Sequence, residues 1–240
     1  YNTTGGESTA VGNYALQNNT TASWNTAIGV GVLNDNTTGA NNTGLGTYSL
    51  YANTTGSGNT ATGFFCLDAN TTGIDNVAVG YDALGANTTG HRNTAVGRNA
   101  LILSNANDNT AVGRRAMGSN TGGGSNTAVG RDALYFNSSG NHNVAIGNNA
   151  MGGAIAAEVV DDCVAIGGDA LAGALDSTDG TDESSGTVAI GRSALTALTS
   201  GAGNVAVGYG AGKAITTGAH NTVLGYGALD AADGAESYNI

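Results

Sequence analysis

Apolar and polar residues follow one short cycle along the whole chain. A pentad of the form Asn-Thr-Ala-Val-Gly returns thirteen times, its glycine falling at Gly12, Gly29, Gly46, Gly63, Gly80, Gly97, Gly113, Gly130, Gly147, Gly167, Gly191, Gly208 and Gly225. Nine of the twelve spacings are 17 residues, and the others are 16, 20 and 24. The full unit reads N-[TV]-A-[VI]-G-x-x-A-L-x-x-N-T-T-G-x-x, numbered here from one at the asparagine. A fixed period over an entire chain is the signature of a stacked repeat architecture.

Each recurring position has a physical reading. Glycine at position five in all thirteen units predicts a positive φ or a close backbone approach. Position two is threonine eight times and valine five times, and position four is Val, Ile or Leu in all units but that of Thr62. These two share one strand face, and the alanine of position three points to the other. The valines at position two place that row in the interior. Position eight is mostly alanine and position nine Leu or Met, which suggests a second short strand, and the Asn-Thr-Thr-Gly run forms a corner. Gly, Asn, Thr and Val dominate, which argues against helix. The expected fold is all-β: a parallel β-solenoid of about 13 coils, each hydrogen-bonded to the next at about 4.8 Å. Apolar residues on both strand faces imply that both are buried, one inside the coil and one against another chain, most simply in a parallel homotrimer or a filament.

The pentads Asn143–Gly147 and Thr187–Gly191, each followed by x-x-Ala, resemble the head repeats of trimeric autotransporter adhesins (YadA-like). The longer form at residues 76–90, with its Asn87-Thr88-Thr89-Gly90 corner, is similar to repeats of phage and bacterial tail-fibre-domain proteins. The resemblance covers nearly the whole chain and implies a left-handed parallel β-roll, trimeric, serving as an adhesive head or fibre shaft. The adhesin repeat is shorter than the unit here. Residues 1–240 read as a single repetitive segment, and both ends fall mid-repeat, as expected of part of a longer fibre.

Composition narrows the function classes. The chain of 240 residues holds 41 glycines and no proline, with 10% charged and 5% aromatic residues. That excludes collagen, which needs proline and glycine at every third position. An apolar share of 40% argues against charge-driven disorder, and no apolar run is long enough to cross a membrane. A net charge of −11 argues against nucleic acid as a partner. No carboxylate pair or nucleophile–base constellation supports an enzyme, and no cofactor is expected. Cys66 and Cys163 lie six coils apart, about 29 Å, too far for a disulfide.

Candidate contact residues sit where the repeat varies. Two enlarged loops, 152–162 and 172–186, collect acidic residues, and Asp176, Asp179, Asp182 and Glu183 are weak calcium candidates by their oxygen chemistry. Against that stands a plain solvated acidic loop. Arg98, Arg114 and Arg131 share position six in three successive coils, a ladder suited to an acidic glycan or phosphate or to pairing with Asp132 or Asp108. Tyr14, Tyr48, Phe64, Phe65, Tyr81, Tyr209 and Tyr226 stand at positions six and seven and could stack on sugars or on neighbouring coils, with Tyr81, Tyr209 and Tyr226 the contact candidates. The leading expectation is a structural and adhesive fibre segment, extracellular, on a cell surface or virion, that contacts a glycan or receptor through many weak sites. The alternatives are an ice-binding threonine ladder, disfavoured by an inward position two, and a passive filament without a receptor.

Overall fold

The computed structural model describes residues 4–153, 160–173, 175 and 184–231. Thirteen three-residue strands occupy positions two to four of successive units: β1 (Thr9–Val11), β2 (Thr26–Ile28), β3 (Thr43–Leu45), β4 (Thr60–Thr62), β5 (Val77–Val79), β6 (Thr94–Val96), β7 (Thr110–Val112), β8 (Thr127–Val129), β9 (Val144–Ile146), β10 (Val164–Ile166), β11 (Val188–Ile190), β12 (Val205–Val207) and β13 (Thr222–Leu224). They pair in strict chain order, β1 to β7 and again β8 to β13. Pairing is parallel with like positions opposed, as in Thr26↔Thr43 and Val164↔Val188. The fold is a β-solenoid with the sequence's own 17-residue pitch. Two compact units, Tyr1–Arg115 and Ala116–Ile240, are built to this one plan.

Each coil carries a single strand. The second strand expected near positions eight and nine is replaced by turns, because positions seven and nine are left-handed, as at Tyr48 (φ 57) and Leu50 (φ 52). Position seventeen is left-handed as well, as at Asp75 (φ 57) and Arg92 (φ 54). Thirty-two described non-glycine residues have positive φ, a conformation that costs an L-residue roughly 1–2 kcal/mol. The conformation persists because stacked backbone satisfies itself all round the coil. The Leu33 N–H donates to the Ser49 carbonyl, that of Asp35 to Tyr51, and that of Thr37 to Thr54, each one coil on.

Position five obeys a stricter rule. Its φ lies near +130°, as at Gly80 (+130) and Gly97 (+135), a region only glycine visits at low cost. A Cβ on Gly97 would lie 2.5 Å from the Gly113 carbonyl oxygen. Both expectations for these glycines, positive φ and close approach, hold together.

The strand faces are reversed from the sequence expectation. Alanine of position three is the inward residue, fully buried from Ala27 to Ala206 wherever alanine stands there. Positions two and four point outward, with Val11 57%, Leu45 45% and Ile146 38% exposed. The interior is narrow at that point, and its branched residue, Val223, stands in β13, the last strand. Where Val32 brings a larger group to position eight, position three of the next coil shrinks to Gly44, whose missing Cβ would strike the Val32 side chain. Buried Leu or Met of position nine, from Leu33 to Leu195, fills the remaining width.

Two buried asparagine rows seal the corner. Asn25 and Asn36, at positions one and twelve, both donate from Nδ2 to the Gly39 carbonyl, at 2.9 Å each. Asn42 and Asn53 do the same to Gly56. The Oδ1 of Asn76 accepts from the backbone N–H of Asn93 at 3.0 Å and from its amide at 3.2 Å. Removing one such amide orphans groups in two coils. Asn76→Ala is expected to lower unfolding free energy by about 2–3 kcal/mol, and Gly97→Ala by at least as much, read as shifts of the urea midpoint at constant m-value. An Asn76→Ala midpoint within error of wild type would refute the ladder's role.

Candidate functional site

With the interior closed, chemistry is left to the outward side chains: positions two, four and six, the outward residues of positions seven and ten, and the corners. Position six carries Arg98, Arg114, Arg131 and Arg192 and the exposed rings of Phe64, Tyr81, Tyr209 and Tyr226. Arg98 lies over the Tyr81 ring at 5.4 Å from its centroid. Tyr81 stacks on Phe64 at 5.8 Å, Phe64 meets Phe65 edge-on at 4.3 Å, and Phe65 stacks on Tyr48 at 5.4 Å. Tyr48 then meets Tyr51 at 5.5 Å. The result is a continuous exposed aromatic track from Tyr51 to Arg98, crossing four coils. Tyr48, Phe64, Phe65, Tyr81 and Arg98 are legible in the sequence at positions six and seven, whereas Tyr51 is not, because it stands at position ten.

The other candidates are placed as follows. Arg114 is exposed at position six of the coil after Arg98. Arg131 reaches Asp132 of its own coil at 3.5 Å and lies beside the Asn148 side-chain amide of the next. Asp108 is held instead by Arg92, with Nε to Oδ1 at 2.6 Å, and this pair keeps the exposed Asp108 carboxyl below its ordinary range. Tyr209 and Tyr226 stack on each other at 5.1 Å and are 49% and 83% exposed. The calcium candidates Asp176, Asp179, Asp182 and Glu183 lie outside the described residues. Among the described residues no three His, Cys, Asp or Glu side chains gather to hold a metal ion.

No family model, curated protein or solved structure matches this chain. Its functional reading therefore rests on its own surface.

The cysteines are unpaired and buried. Burial pushes the Cys66 thiol up to about 12 and the Cys163 thiol up to about 11, so neither is a thiolate at neutral pH. Cys66 fills an alanine site at position eight. Cys163 replaces the ladder asparagine and gives its Sγ proton to the Ser184 carbonyl at 3.3 Å. The neighbouring Thr187 hydroxyl, also standing in for that asparagine, has no partner, nor has the Ser184 hydroxyl. The amide row thus stops at the enlarged loops.

One carboxyl on the coil edge is set for titration. Burial, with the like charge of Asp82 as a smaller cause, pushes Asp68 up to about 6 from an ordinary 3.8. Asp82 is raised as well, by burial. The folded state then binds the Asp68 proton more tightly than the unfolded chain, so stability falls as pH rises from about 4 through 6. Asp68→Asn is expected to melt at a higher urea concentration than wild type at pH 8 and to match it at pH 4, measured by denaturation at both pH values. An equal gap at both would show that the effect is not titration.

Proposed function

We propose that the chain is a structural and adhesive fibre segment that associates laterally with two further copies of itself through the outer sheet face, outside a cell or on a virion. The carrying observation is that face: positions two and four hold no charged residue in any of thirteen strands. In the second unit, β9 to β12 present Val144, Ile146, Val164, Ile166, Val188, Ile190, Val205 and Val207 side by side. Soluble monomers rarely leave so long an apolar strip uncovered. A partner matching it must repeat at the same rise of about 4.8 Å, and another copy of this chain does so with no further design. The resemblance to adhesin heads and tail-fibre repeats supports the same arrangement. Stacked backbone would make the assembly stiff, and the aromatic and arginine rows would give it many weak contacts that sum through multivalency.

A second reading gains from the outward turn of position two. Thr9, Thr26, Thr43 and Thr60, then Thr94 and Thr110, form an external threonine row on the first unit, interrupted by Val77. Such a row beside aliphatic side chains is what an ice-binding face requires, and its outward direction removes the ground on which sequence disfavoured it. The valines of β9 to β12 argue that ice is not the purpose of the whole face.

Light scattering of the purified chain is expected to give three times the 23.4 kDa chain mass, and Ile166→Lys with Ile190→Lys to give a folded monomer. A wild-type monomer would sink lateral assembly. Thermal hysteresis in the wild type would favour the ice reading over it.

A further inference from the structure

The aromatic track begins at a hollow. Position seven of the first three coils reads Tyr14, Gly31, Tyr48, so one rung of an otherwise aromatic row has no side chain. Backbone conformation does not demand glycine there. Gly31 has φ +66, and Tyr14 (φ 61), Tyr48 (φ 57) and Phe65 (φ 51) hold nearly the same angle at the same position. What Gly31 provides is space: a Cβ would lie 2.7 Å from Cδ1 of Tyr48, whose ring leans across it. The backbones of Tyr14 and Tyr48 are two rungs apart, about 9.6 Å. Between them opens a hollow of about 270 Å³, lined by Tyr14, Gln17, Gly31, Asn34, Tyr48 and Tyr51.

The lining is amphipathic and uncharged. Tyr14 is 57% and Tyr51 38% exposed, so aromatic surface faces the opening. Asn34 is buried and fixed, with Nδ2 donating to Oε1 of Gln17 at 2.9 Å and to the Tyr14 carbonyl at 3.2 Å. That bond orients the Gln17 amide at the rim. Three phenols and two amides around one small hollow suit a ligand rich in hydroxyls, and the rings suit one with an apolar C–H face. A lipid chain would cover the phenols and the Gln17 amide without hydrogen-bonding to any of them, and no charged side chain among the six offers an ionic ligand a partner.

We infer that this hollow binds one neutral pyranose ring, an axial C–H face lying on a tyrosine and its hydroxyls meeting Gln17 and the phenols. The site names a ligand class for the adhesive reading and rests on it for its setting, but its affinity is a property of the chain whether or not three copies assemble. Repeated once per chain, a millimolar subsite would gain from multivalency.

Saturation-transfer NMR on the full chain, with methyl glycosides of glucose, galactose, mannose, N-acetylglucosamine and N-acetylgalactosamine at about 10 mM, tests it, with N-acetylneuraminic acid as the charged comparison. At least one neutral glycoside is expected to bind, and Tyr14→Ala and Tyr51→Ala to weaken it at least tenfold with unchanged urea midpoints. No neutral binding, binding of the charged sugar alone, or binding unaltered in both variants would overturn the site. Light scattering of the same samples reports assembly separately, so loss of the sugar site and loss of the trimer are told apart.

Discussion

A buried side-chain amide in this protein finds its partner in an identical amide one coil away. Asn59 Nδ2 donates to Oδ1 of Asn42, Asn76 to Asn59, and Asn93 to Asn76, in one row. In the other, Asn53 donates to Asn36 and Asn70 to Asn53. An unsatisfied interior amide is costly, so the rows hold their register, and the replacements they contain are small: Ser104 in the position-twelve row, Cys163 and Thr187 in the position-one row. In later coils the position-twelve row turns aliphatic: Leu198 and Ile215 stand there in successive coils, both fully buried. The second is accommodated by Gly212, since a Cβ at that glycine would lie 3.1 Å from Cδ1 of Ile215. The amide constraint, repeated every 17 residues, makes the sequence periodic and the pairing parallel and in register.

The same logic accounts for the left-handed residues. Leu33 (φ 51) and Leu67 (φ 53) occupy a conformation that leucine ordinarily avoids, yet each donates its N–H to the next coil, at 3.2 Å and 3.0 Å, and buries its side chain completely. Tertiary stacking outweighs local preference. Coil-to-coil bonding of this kind lets almost any side chain stand at positions seven and seventeen, which is why tyrosine, arginine, aspartate and histidine all occur there. Variation in side chain at fixed backbone is what a surface of many weak contacts needs.

Periodicity made the solenoid, its parallel register and the role of the position-five glycine legible before any coordinates. Two features were not. The second strand was expected because Ala-Leu reads as an apolar pair, and nothing in leucine's chemistry signals a positive φ. The facing of the first strand was misassigned because alternation defines two faces without saying which is inside, and larger apolar residues were given the interior. The Val32 and Gly44 exchange carried the missing information, since a compensating loss at position three identifies it as the row that touches position eight. The hollow beside Tyr14 was equally hidden. Its definition depends on Gly31 lacking a side chain where the backbone does not require that lack, and only the shared φ of Tyr14 and Tyr48 reveals it.

The outward rows pose the remaining question of cause. The interior is completed by alanine, leucine and asparagine without help from positions two and four. Strand preference favours β-branched residues there, but a half-exposed sheet face ordinarily alternates with lysine, glutamate and other polar groups. Threonine alone meets both demands, and the first unit uses it at position two in β1 to β4, β6 and β7. From β9 to β12 even threonine is absent, and valine stands opposite isoleucine or valine on every strand. Folding of a single chain gives no reason for that choice. The proposed lateral assembly would supply one, because an apolar strip of constant rise is stabilised when something of equal rise covers it, and the molecule that would meet this condition most directly is the same coil, repeated.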